Sequence, residues 1–255
     1  DLLETCRIAG QTRNADQAAY RHDPGADKES KFHIGYVKIF SYMNSLLSVP
    51  LEATSEQKAR LQALQLAFAQ VCNALAPVVQ QSRCWNRVAL HHLMYRQLRE
   101  RFPVMGSQMV CNAIYSVSRA ARLVYQHPGS PFCVGRGGGA GTDVPLPRLV
   151  FLPSAPVYFD RHTLSIKPNQ LSMYTLDGRM RFQLTLADDV MSLFGRSRLR
   201  EVLLTQRADG QFVLSFVLSA KAEGADAELL DTDEAVIDVQ ANVPWPSYLN
   251  VEETT

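Results

Sequence analysis

The chain lacks the features that announce the commonest site chemistries. Its five cysteines, Cys6, Cys72, Cys84, Cys111 and Cys133, form no Cys-x-x-Cys pair, so the spacing of a zinc ribbon is missing. Free, mostly buried thiols in a reducing compartment are expected instead. No uninterrupted apolar run is long enough for a membrane span. The opening Asp-Leu-Leu-Glu has no basic-then-apolar leader pattern, and the expectation is a cytoplasmic protein or a piece of one. The glycine-rich run Gly135-Arg136-Gly137-Gly138-Gly139-Ala140-Gly141 is not followed by Gly-Lys-Ser/Thr. With no strong strand before it and no helix after it, it reads as a flexible loop, not a phosphate cradle. His91 and His92 are adjacent, so on a helix they diverge and make no ordinary metal pair.

Positive charge is missing from one region and concentrated in another. Residues 222–255 hold nine acidic residues and no Lys or Arg. Residues 51–221 hold 20 basic against 10 acidic residues, and 17 of the 20 are arginine. The net charge of +1 hides this division. A basic body suits a polyanionic partner. Arginine in particular offers a planar fork to phosphate and a flat face to bases.

Residues 1–30 show no periodicity and read as a disordered arm, with Asp23-Pro24-Gly25 as a turn signal. Residues 31–43 alternate as a strand, with Ile34, Tyr36, Lys38 and Phe40 on one face, and Ser48-Val49-Pro50 interrupts it. A capping box, Thr54 with Gln57, opens a first helix whose pattern Pro77 bends or ends. A second helix is expected from about Ser82 to Arg101, with Arg83, Arg87, Arg96 and Arg99 on its polar side. Ser107 is placed as the cap of a third, running to about Gln126. There Arg119 and Arg122 share a face, with Tyr115 one turn before Arg119 as a stacking ring. Taken alone, these helices also fit a plain bundle with a solvated basic side.

From Leu149 the period changes to that of strands. They are expected at Arg148–Leu152, Val157–Asp160, Thr163–Lys167, Gln170–Leu176, Arg179–Leu184, Leu199–Gln206 and Phe212–Ser219, with a short helix at Ala187–Phe194. Asp177-Gly178 and Asp209-Gly210 mark hairpin turns. Many short strands joined by tight turns argue for a small barrel. One more strand, Ala235–Val239, follows an acidic linker, and the residues after Pro244-Trp245-Pro246, Glu252 and Glu253 among them, read as an unstructured tail.

This order resembles the TnpB family, transposon-encoded RNA-guided nucleases related to compact type V CRISPR effectors. The matching stretches are Tyr36-Val37-Lys38-Ile39, Thr54-Ser55-Glu56-Gln57, Trp85-Asn86, Leu176-Asp177-Gly178-Arg179, Asp209-Gly210-Gln211-Phe212-Val213-Leu214 and Val236-Ile237-Asp238-Val239, spread over residues 31–243. The resemblance implies an α+β fold: a small antiparallel, wedge-like β-barrel with an inserted helical bundle, and the first strand of an incomplete RuvC-like domain. In domain terms it implies first barrel strands at 31–53, a helical recognition lobe at 54–127, a Gly-rich linker at 128–147, the barrel at 148–222, and an acidic linker with the RuvC-like remnant at 223–255.

The implied partners are a guide RNA and target DNA, with base pairing reading sequence and the protein reading shape and charge. The residues expected to hold nucleic acid are Tyr36, Lys38, Gln57, Arg83, Asn86, Arg87, Tyr115, Arg119, Arg122, Arg198 and Arg200. Asp238 matches the family's first catalytic aspartate. Such a nuclease clamps two metal ions with several carboxylates, but the further Glu and Asp and the four-Cys ribbon have no counterpart here, and Gln240 stands where the family has Gly. Asp238 is therefore expected to be a remnant, with no cofactor held by this chain alone and Mg2+ only if a second protein chain completes the site. The alternatives are the recognition half of a split or truncated endonuclease, and a structural protein-interaction module.

Overall fold

The structure, a computed structural model, describes residues 44–134, 145–167, 169–184, 186, 188–220 and 246–253. The element order is β1 (Asn44–Pro50), α1 (Ser55–Ser82), α2 (Arg87–Arg101), α3 (Ser107–Tyr125), β2 (Arg148–Phe151), β3 (Val157–Phe159), β4 (Leu164–Lys167), β5 (Gln170–Thr175), β6 (Gly178–Gln183), α4 (Asp188–Arg196), β7 (Ser197–Gln206), β8 (Phe212–Ala220) and β9 (Leu249–Glu252). The fold is α+β, and every strand pairing is antiparallel.

The three helices fall between strands that pair with each other. β1 lies before them in sequence, yet it pairs with β8 from Asn44↔Ser219 to Pro50↔Val213. The sheet order is β1-β8-β7-β3, with separate ladders β2-β9 and β4-β5-β6. None of these ladders closes on itself among the described residues, so the expected barrel is not seen there as a closed sheet. One reason lies at Asp160, just past β3. Its Oδ1 accepts the N–H groups of His162 and Thr163 at 3.0 Å each. This Asx turn swings the chain into β4 before β3 can lengthen.

The helices form where their apolar spacing predicts. On α1, Leu61, Leu64, Phe68, Val71, Cys72, Leu75 and Val79 are buried at helical intervals. The capping box is present: Thr54 Oγ1 accepts from Gln57 N–H at 3.2 Å, and Gln57 Oε1 accepts from Thr54 N–H at 2.9 Å. Two boundaries differ from expectation. α1 runs through Pro77 to Ser82, because the packed face continues past the proline to Val79. α2 starts at Arg87, where Asn86 rather than Ser82 caps it. α3 begins at Ser107 with Gly106 at the cap position and no side-chain cap bond.

By length and composition alone α1 could cross a membrane, but half of its most apolar window is buried inside the fold. Its polar residues also serve as docking points. The Asn73 amide donates to the Phe151 carbonyl at 2.8 Å, and its oxygen accepts the Phe151 N–H at 2.7 Å. Asn73 thus acts as a one-residue strand on the edge of β2 that β9 leaves open. The buried Gln65 donates to the Ala155 carbonyl at 3.3 Å, and Gln80 to the Leu146 carbonyl at 2.6 Å.

The hairpins form at the expected glycines. Gly178 and Gly210 take φ of +93° and +81°, a region that side chains with a Cβ avoid. Two strands differ from the sequence reading. β1 covers Asn44–Pro50, including the Ser48-Val49-Pro50 expected to interrupt a strand. β9 covers Leu249–Glu252, in the segment expected to be unstructured, and its Glu252 faces Arg148 in the ladder. The expected strands at 31–43 and 235–239 lie outside the described residues.

Candidate nucleic-acid interface

α3 is the hub. It packs on α1, on α2 and on β3, and small residues on its buried side, Ala113, Ser116, Ala120 and Ala121, allow close approach. Its opposite flank carries Tyr115, Arg119 and Arg122, successive turns of one stripe. The Arg87 guanidinium, from the first turn of α2, lies 5.3 Å from the centre of the Tyr115 ring. Arg122 donates to Ser118 Oγ at 3.0 Å, and Ser118 donates to the Trp85 carbonyl at 2.6 Å. Arg87, Tyr115, Arg119 and Arg122 are therefore gathered at the start of α2, next to Asn86.

The other wall is β7. Glu201 accepts from both the Tyr115 hydroxyl and the Arg119 guanidinium. Tyr158 of β3 completes the seam, edge-on to Tyr115 at 5.5 Å and 5.9 Å from the Arg119 guanidinium. Burial first, and then the Glu201 carboxylate, push the Tyr115 phenol well up, so it stays a donor. Burial also holds the Tyr158 and Tyr248 phenols up. Arg198 lies opposite Ser219 and on the face of Glu201, while Arg200 occupies a β-bulge between Leu199 and Glu201. Arg196, Arg198 and Arg200 are all exposed, within five residues of chain.

The remaining expected contacts are placed as follows. Asn86 Oδ1 accepts the Ala89 N–H at 3.0 Å as the cap of α2. Arg83 is the C-cap of α1, with φ +52° in the left-handed region. Gln57 stands at the far end of α1, about 39 Å of helix rise from Arg83, and its amide donates to the Arg181 carbonyl of β6 at 3.1 Å. It joins α1 to β6 and does not belong to the cluster. Tyr36, Lys38 and Asp238 lie outside the described residues. Glu201 is the important residue that the sequence reading passed over. Its only signal is a lone acid after Arg196, Arg198 and Arg200.

Among the described residues, no three of His, Cys, Asp and Glu gather closely enough to hold a metal ion. The residues described here do not make the two-metal carboxylate site that the resemblance implies, and no catalytic step is derived from it. No protein-family model matches the chain, and comparison with curated proteins finds no match.

Proposed function

We propose that the chain is a nucleic-acid-binding protein of the TnpB type, which holds a guide RNA and engages target DNA without cutting by itself. In this reading α1–α3 act as the recognition lobe and the antiparallel sheets take the wedge role. The observation that carries the reading is the α3–β7 seam. It joins α3, with Arg87 against Tyr115 and Arg122 one turn on from Arg119, to β7, where Arg198 and Arg200 precede Glu201, while Glu201 is committed to Arg119 and Tyr115. A ridge with arginines on both walls suits a phosphate backbone, whose affinity falls steeply with salt. Such a protein works in the cytoplasm. Asp238 and Mg2+ chemistry enter only with a second chain that completes a RuvC-like site.

Purifying the full-length protein at low salt and sequencing what copurifies is the direct test. Bound RNA of defined sequence, released as salt is raised, is the expected result. Protein that carries no nucleic acid and shows no RNA affinity at low salt would overturn the reading.

The bonds that occupy Asn86, Gln57 and Arg119 within the fold favour a second reading, a protein-interaction module. Charge reversal at Arg87 and Arg122 separates the two. Unchanged RNA binding after reversal supports the module.

A further inference from the structure

The structure also holds a cavity away from the α3–β7 ridge. It has a volume of about 450 Å3 and is lined by Gln70, Asn73, Ala74 and Pro77 of α1, by Arg101 and Phe102 at the end of α2, and by Arg148 at the start of β2. α2 separates it from Arg87 by about 21 Å of helix rise. The volume falls in the range of ordinary ligand sites.

The lining is chemically mixed in a specific way. Arg101 and Arg148 are exposed guanidinium groups from two different elements. The Arg101 guanidinium sits 5.4 Å from the centre of the half-buried Phe102 ring. A cation and a flat apolar face therefore stand side by side. Pro77 has no N–H to give the Asn73 carbonyl one turn back, so this wall carries a main-chain acceptor without its usual helix donor. Gln70, exposed on the same stripe, adds an amide. The acidic group nearest by register is Glu252, directly opposite Arg148 in the β2-β9 ladder.

We propose that this cavity takes one nucleotide of a bound RNA strand. Arg101 and Arg148 hold its phosphate, Phe102 stacks on its base, and the Asn73 carbonyl and Gln70 amide meet polar edges of the base. An apolar ligand would leave two arginines idle, and a bare anion would leave the ring idle. A nucleoside phosphate uses both. The proposal rests on the nucleic-acid reading above and adds a second contact region to it.

The test uses the full chain and a fluorescein-labelled single-stranded RNA, read by anisotropy across a salt titration. The double variant Arg101→Gln/Arg148→Gln is expected to weaken binding about tenfold and to flatten the salt dependence by about 0.7 in slope for each arginine. Phe102→Leu keeps an apolar side chain for packing and is expected to weaken binding about fivefold with little change in slope. Thermal melts check that each variant is folded. A second arm titrates wild type with adenosine monophosphate. Saturable binding that the double variant loses identifies a free nucleotide as the source of the phosphate, even where RNA affinity is absent. Wild type that binds RNA with variants that bind equally well overturns the cavity alone. No RNA binding by wild type overturns the function proposed above, and absent mononucleotide binding then overturns the cavity as well.

Discussion

Arg119 of α3 and the arginines of the α4–β7 stretch that precedes its partner Glu201 behave as opposites. Arg119 faces inward, tied to Glu201 and flanked by Tyr115 and Tyr158. Arg196, Arg198 and Arg200 lie at the surface. In the sequence Arg119, Arg198 and Arg200 all read as basic grip. In the fold the first is a bolt between α3 and β7, and the other two are charge facing solvent. The contrast teaches that a count of arginines measures polyanion affinity only after those with internal carboxylate partners are set aside.

The sharpest way to break the inward group is alkali. Burial raises the phenols of Tyr115, Tyr125, Tyr158 and Tyr248 above their ordinary value. A phenol that is harder to ionise in the folded state adds stability below its unfolded pKa of about 10 and loses it as pH rises further. Between its unfolded and its folded pKa, such a phenol removes at most about 1.4 kcal/mol per pH unit. Unfolding is therefore expected as the solution is taken from pH 10 toward 12, with tyrosinate absorbance appearing in the same cooperative step as loss of helix. Early, gradual ionisation of all the tyrosines would show that the seam is open to water.

Glu201→Ala tests the same seam through one residue. The Glu201 side chain is 15% exposed and that of Arg119 40%, so solvent screens the pair, and the loss is expected near 2 kcal/mol, short of the 3–5 of a fully buried pair. The double variant Arg119→Met/Glu201→Leu should regain most of it. Urea denaturation measures both, and a single variant as stable as wild type removes the bolt from the account. For the outward group the expectation reverses. Arg198→Gln/Arg200→Gln should leave the urea midpoint unchanged and weaken RNA binding about tenfold at moderate salt.

The difference in legibility between the two groups has a physical cause. β5 and β6 alternate cleanly, and the β5-β6 and β7-β8 hairpins turn at Gly178 and Gly210, so the positions of β4 to β8 could be read to within two residues. Alternation and turn chemistry are local signals. The Arg119–Glu201 pair joins residues 82 positions apart, and no spacing rule reaches across that distance. The cavity beside Pro77 draws on three elements in the same way. β1 was obscured because it carries Leu46 on an exposed face and ends in Pro50, so the buried Leu47 and the half-buried Val49 did not stand out. β9 was obscured because it follows the turn-like Pro244-Trp245-Pro246, which reads as the start of a tail. Pro77 reads as a helix end when only propensity is weighed, yet Phe68, Leu75 and Val79 bury one continuous face through it.

Arg83, the C-cap of α1, is a third case, and a small effect there separates fold from function. It ends α1 with φ +52°, a conformation in which glycine is preferred and a residue with a Cβ is strained by about 1–2 kcal/mol. Glycine gives back part of that relief because it leaves the unfolded chain freer. The backbone term of Arg83→Gly is therefore expected to raise stability by about 0.5–1 kcal/mol, set against the contact its side chain gives up. If Arg83 serves only the fold, RNA affinity should stay where it was. If the side chain reaches the phosphate backbone beside Arg87, the more stable protein should bind RNA about threefold to tenfold more weakly, with a shallower salt dependence. A gain in stability with a loss in affinity would place Arg83 with the outward group, because a strained arginine at a glycine position is then kept for its charge. A loss in both would place it with the bolts.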